Sequence, residues 1–85
     1  MTIITAFQNG EIVKKYKIAQ DIFTENYRIL IDTPRYGKKN SAVVGADGKS
    51  DRLFRTQELA CEFVLNLIDR HMALGVVDKY MVEHK

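Results

Sequence analysis

The chain has one cysteine, one proline and no long apolar run, and each shortage excludes something. A single thiol rules out an internal disulfide and a cysteine-built zinc cluster, and it suits a reducing compartment. No stretch approaches the roughly 20 apolar residues of a membrane-spanning helix. The start, MTIITAFQNGE, lacks the basic region and apolar run of a signal peptide. These features predict a soluble, cytoplasmic protein with no membrane partner. At 85 residues the chain has room for one small domain with a thin core, and a large catalytic cleft is not expected. Internal repeats and low-complexity segments are absent as well.

Charge of one sign is also scarce: the net value is +2. Its distribution says more. Residues 1–55 hold ten Lys or Arg against six Asp or Glu, whereas residues 56–85 hold three against five. The first part reads as sheet and the second as helix.

Residues 2–8, TIITAFQ, are β-branched and apolar and predict a strand. Asn9-Gly10 supplies the two positive-φ positions of a type I′ hairpin turn. The return strand, EIVKKYKIA, alternates with Ile12, Tyr16 and Ile18 on one face, Lys14 being the exception, and with Val13, Lys15 and Lys17 on the other. In AQDIFTE, Ile22 and Phe23 are expected to anchor a connection to the core. NYRILIDT is the cleanest strand, with Tyr27, Ile29 and Ile31 facing one way and Arg28, Leu30 and Asp32 the other. Pro34 cannot donate to a ladder and should end it. The basic loop PRYGKKN leads to a short strand, SAVVGA. A second hairpin turn at Asp47-Gly48 is followed by a last strand, KSDRLF.

The stretch from Asp51 to Gly75, a strand end running into one long amphipathic helix, organises the rest. Thr56 is a good N-cap, Glu58 places a negative charge in the first turn, and Gly75 is a natural stop. Glu58, Glu62, Asn66 and Asp69 mark a polar stripe. Leu59, Ala60, Phe63, Val64, Leu67, Ile68 and His71 mark an apolar one, with Cys61, Leu65, Ile68 and Met72 as a second row. The tail GVVDKYMVEHK is read as a short second helix, with Val76, Val77, Tyr80 and Met81 covering that row. On that ground a monomer is favoured over a homodimer. The expected fold is α+β: residues 2–55 an antiparallel sheet of four to five strands, 56–74 one long helix, 76–83 a short helix.

No constellation points to catalysis. Cys61 and His71 are ten helical residues apart, about 15 Å, which is out of hydrogen-bond reach. Cys61 reads as a small buried hydrophobe. His71 reads as a partly protonated group at the helix C-terminus, and His84 as a residue near a frayable end. Cys61, His71 and His84 lack metal-ligand spacing. GADGKS superficially matches a phosphate-binding loop, but Val43 stands where the first glycine belongs, and DRLF reads as strand rather than helix. Neither a cofactor nor a metal is expected.

The better pattern is a basic surface with aromatic interleaving. Lys15, Lys17 and Arg28 lie on the outer sheet face, Arg35, Tyr36, Lys38 and Lys39 in the central loop, and Lys49 and Arg52 at the second hairpin. Such groups can neutralise phosphates, and Tyr36 can stack or hydrogen-bond. Tyr27, Gly37-Lys38-Lys39, Phe54, Thr56, Ala60 and Phe63 give an aromatic strand, a Gly-Lys-Lys turn and a Phe-x-Thr-x-x-x-Ala-x-x-Phe pattern. In these residues the last 50 positions resemble the arm-type DNA-binding domains of phage and transposon tyrosine recombinases. The resemblance implies a three-stranded sheet followed by a helix, with the outer sheet face in the major groove. It implicates Arg28, Arg35, Lys38, Lys39, Lys49 and Arg52, and an accessory protein of a phage or mobile element. The general look is also similar to small phage proteins that block host defence, anti-CRISPR proteins among them. These occupy a surface of a large host protein or nucleoprotein complex. In that case the same residues would meet protein, or the acidic stripe of Glu58, Glu62 and Asp69 would mimic nucleic acid.

Overall fold

Asn9 and Gly10 take positive φ (53° and 79°), as a type I′ turn requires. They join strand β1 (Thr2–Gln8) to β2 (Glu11–Gln20) in the computed structural model, which describes all 85 residues. After a loop, β3 (Tyr27–Thr33) pairs with β2, and Pro34 ends it in a 3-10 turn, Pro34–Tyr36. Gly37, with φ 67°, turns the chain into β4 (Lys38–Ala42). The long helix α1 (Gln57–Ala73) follows, and β5 (Lys79–His84) closes the chain. All pairings are antiparallel, in the order β4-β3-β2-β1-β5. The architecture is α+β: one five-stranded sheet with one helix on one face.

The alternation read in the sequence places the core. Ile4 and Ala6 on β1, Tyr16 and Ile18 on β2 and Ile29 on β3 lie buried under Ala60, Val64 and Ile68 of α1. Phe54 and Val77 close the two ends. A bulge at Ala6/Phe7 takes Ile12 out of its expected series: it pairs with Phe7 and is 41% exposed. Lys14 stays in the helix-facing series, opposite Ala6. Its charge acts on His71 in the last helical turn, where a cation suits the dipole.

Both helix ends form as their sequence requires. The Thr56 hydroxyl accepts from the Leu59 N–H at 3.2 Å. At the other end the Gly75 N–H donates to the Met72 carbonyl and the Val76 N–H to that of His71, both at 3.0 Å. With Gly75 at φ 77°, this is a Schellman motif. The Tyr16 hydroxyl is the one buried side-chain polar atom without a partner. An unmet hydroxyl costs about 1–3 kcal/mol. Tyr16→Phe is therefore expected to raise stability by about 1 kcal/mol in urea denaturation.

Three expectations need correction. The tail is not a helix: residues 79–84 add strand β5 to the free edge of β1. Val76, Val77, Tyr80 and Met81 fit a helical spacing, but a helix there would leave the backbone groups of β1 unpaired along that edge. The Schellman turn reverses the chain onto the edge instead. Gln8 Nε2 donating to the Gly75 carbonyl, and the Asn9 N–H donating to Asp78 Oδ2, both at 2.9 Å, hold the return. His84 is consequently paired rather than frayed, its Nδ1 lying 3.0 Å from Thr2 Oγ1.

Second, KSDRLF forms no regular strand. Residues 43–55 make isolated bridges only, Tyr27↔Phe54 to the sheet and Val44↔Asp51 within the segment, and the Val43 N–H donates to the Ile29 carbonyl at 3.1 Å, while β4 begins earlier, at Lys38. Asp47-Gly48 does turn the chain, the Asp47 carboxylate accepting from the N–H groups of Lys49 and Ser50. Third, Ile22 and Phe23 are not core anchors: they are 82% and 90% exposed. Asp21 accepts from the Phe23 N–H and the Thr24 hydroxyl. The loop is thus held by polar contacts, and Phe54 already closes the core at that end.

Candidate nucleic-acid interface

The register divides the nine basic-surface residues into groups with different surroundings. On the outer sheet face, Lys15 stands opposite Asp32 and Lys17 opposite Leu30. Lys17 Nζ lies 3.2 Å from Asp32 Oδ2 and donates to Asn40 Oδ1, while Asp32 Oδ1 accepts from the Asn40 N–H at 2.8 Å. This network ties β2, β3 and β4 across the irregularity in the β3–β4 pairing. The Asn40 N–H and the Lys17 ammonium hold the Asp32 carboxyl below its ordinary range.

Arg28 is held between two carboxylates, Asp21 at 3.1 Å and Asp51 at 3.2 Å. The Phe23 N–H is the main reason the Asp21 carboxyl is pushed down, with Thr24 and Arg28 adding to it. Arg52 stacks instead: its guanidinium lies 5.2 Å from the Phe54 ring centroid and 4.7 Å from that of Phe63. Those two rings meet edge to face at 5.3 Å. Phe54, Thr56, Ala60 and Phe63 thus share one task. They bridge the chain to β3, start the helix and bring it close to the sheet.

Three of the remaining cations gather at one corner. Arg35 and Tyr36 sit in the 3-10 turn, and Lys38 and Lys39 open the edge strand β4 directly after Gly37. None of Arg35, Lys38 and Lys39 makes an ion pair, and Tyr36 is 73% exposed beside them. Lys49 belongs to the second hairpin, beyond the far end of β4. With strands rising about 3.3 Å per residue, it lies well over 10 Å along the edge from Lys38. Sequence alone pooled these residues into one surface. The structure brings four together, neutralises or stacks three, sets Lys15 opposite Asp32, and leaves Lys49 apart.

The groups that invite a catalytic reading do not assemble into one. Cys61 and His84 line an open cleft of about 490 Å³ beside Glu58 and Glu62. Burial and the Glu58 charge push the Cys61 thiol up, opposite to what a nucleophile needs. His71, read as partly protonated, is pushed the other way by burial and by the charges of Lys14 and Arg70. No cluster of three His, Cys, Asp or Glu side chains is arranged to hold a metal ion. No helix is long and apolar enough to cross a membrane. Sequence reasoning missed the projecting pair Ile22 and Phe23. The signal was Asp21 followed by Thr24, a short polar frame that satisfies a loop without help from the core. Compared with protein-family models, curated proteins and solved structures, the chain matches none of them.

Proposed function

We propose that this chain is a non-catalytic nucleic-acid-binding accessory protein, acting in the cytoplasm, whose contact surface is the β3–β4 corner. One observation carries the reading. Arg35, Lys38 and Lys39 stand without acidic partners around an exposed tyrosine, whereas Lys17 and Arg28 are held by carboxylates of their own fold. Moving a paired cation onto a phosphate only exchanges partners. An unpaired one releases counterions and gains. The reading keeps the resemblance to the arm-type domains and the suggestion of a phage or mobile-element protein. It shifts the contact from the outer sheet face to one edge.

The test is titration of mixed-sequence duplex and single-stranded DNA across a salt series. Three phosphate contacts predict that log affinity falls with log salt at a slope of about −3 on duplex. Absence of binding at about 50 mM salt would overturn the proposal, since the electrostatic part of binding is strongest there. A second reading, an inhibitor that occupies a protein surface in the manner of anti-CRISPR proteins, is favoured by Ile22 and Phe23. Two large apolar side chains on a polar-braced loop suit insertion into a partner's pocket.

A further inference from the structure

The two edges of the sheet differ in how they are defended. Edge strands offer unpaired N–H and C=O groups, and proteins blunt them with lysines, bulges and irregular pairing. β4 carries all three: Lys38 and Lys39, a shifted register against β3, and Asn40 at φ 54°. β5 carries none in its middle. It pairs with β1 without a register shift, and its central residues Tyr80, Met81 and Val82 are 41%, 46% and 42% exposed. The expectation of a monomer rested on this tail folding as a helix over α1, and that covering is not made.

We propose that β5 pairs antiparallel with β5 of a second copy about a two-fold axis at Met81, joining two five-stranded sheets into one of ten strands. Backbone geometry and charge each narrow the choice. Met1 and Lys85 exchange both backbone hydrogen bonds at 2.8 Å, so hydrogen-bonded pairs recur along the ladder at Ile3/Glu83, Thr5/Met81 and Phe7/Lys79. The N–H and C=O groups of Tyr80 and Val82 then point away from β1, to the free edge. A symmetric pairing must join outward residues to outward residues, which leaves two registers spanning the strand. One centres on Val82 and sets Lys79 against Lys85. The other centres on Met81, sets Lys79 against Glu83 and pairs Tyr80 with Val82.

The second register is self-complementary. Opposite charges meet twice across the two-fold, and the apolar residues meet at the centre. Within one chain Glu83 has only a 3.8 Å contact with exposed Lys85. A second copy is therefore the occupant whose charge sequence matches this edge in reverse order. Paired side chains share a face, so both helices lie on the same side of the joined sheet. Both β4 corners stay at its outer ends.

Sedimentation or light scattering from about 1 to about 500 µM should show the 9.8 kDa monomer giving way to a species of twice that mass and no larger. Lys79→Glu alone or Glu83→Lys alone turns two attractive pairs into two repulsive ones and should weaken association about tenfold. Lys79→Glu combined with Glu83→Lys should restore it. Val82→Pro removes an outward N–H that has no partner in the monomer, and should give a folded monomer. A monomeric mass at every concentration would overturn the proposal. A dimer indifferent to all these changes would do the same, since another surface would then hold it.

Discussion

Replacing Ile4 by alanine is expected to cost about 3–5 kcal/mol, because the site cannot collapse around the lost atoms. Ile4 lies on β1, between β2 and β5, with Tyr16 and Val82 as its cross-strand neighbours, and it has no exposed surface. Strands on both sides hold the backbone around the lost atoms, so the resulting cavity can close only in part. Domains carry about 0.05–0.15 kcal/mol per residue, or roughly 4–13 kcal/mol for a chain of this size. Ile4→Ala should therefore consume a large part of the stability, and at the lower end it leaves much of the protein unfolded at 25 °C. Urea denaturation followed by circular dichroism reads the effect as a lower midpoint. Ile22→Ala removes the same atoms from an exposed loop tip and should stay within about 0.5 kcal/mol of the parent. Equal losses at the two positions would contradict this account of the core.

The second large effect concerns binding. Lys38→Glu combined with Lys39→Glu should abolish association with DNA while leaving the fold intact, since both side chains are exposed on an edge strand and make no ion pair. Each lost phosphate contact reduces the salt slope by about one, so Lys38→Ala with Lys39→Ala should bring it from about −3 to about −1. Lys49→Glu with Lys85→Glu changes the net charge as much as the glutamate pair does, but in the second hairpin and beside Met1, away from the corner. It should leave most of the affinity in place, which separates a local contact from a general charge effect. Glu58→Lys with Glu62→Lys should also bind. A protein that mimics nucleic-acid charge would be damaged by that pair and indifferent at the corner. Unchanged affinity in the Lys38, Lys39 variant would remove the corner from consideration.

Much of the fold was legible because its chemistry is local. A turn such as Asn9-Gly10 is decided by which residues tolerate positive φ, and the α1 boundaries by a hydroxyl at Thr56 and a flexible backbone at Gly75. The alternation in NYRILIDT needs only the pleat of a strand to place Ile29 inward and Arg28 outward. The candidate site was legible only as a list of cations. Which of them stay free depends on acids 23 positions away for Arg28 and Asp51, and on the β2–β3 register for Lys17 and Asp32. The bulge at Ala6/Phe7 likewise exposes Ile12 through a pairing that no single strand records.

The amino-acid order by itself determined an α+β chain with a type I′ hairpin, a third strand ended by Pro34, a capped amphipathic helix and a surplus of cations before residue 56. Those outcomes depend on backbone preferences and on periodicities of two and 3.6 residues, which act within a few positions. Tertiary structure alone decided that residues 79–84 form a strand rather than a helix, because the deciding partner, the open edge of β1, lies some 75 residues earlier. It also decided that Ile22 and Phe23 project into solvent, and that Lys17 and Arg28 are held by carboxylates while Arg35, Lys38 and Lys39 gather without acidic partners where β3 turns into β4. Burial and ion pairing depend on which surfaces meet, and surfaces meet only once the chain has closed on itself.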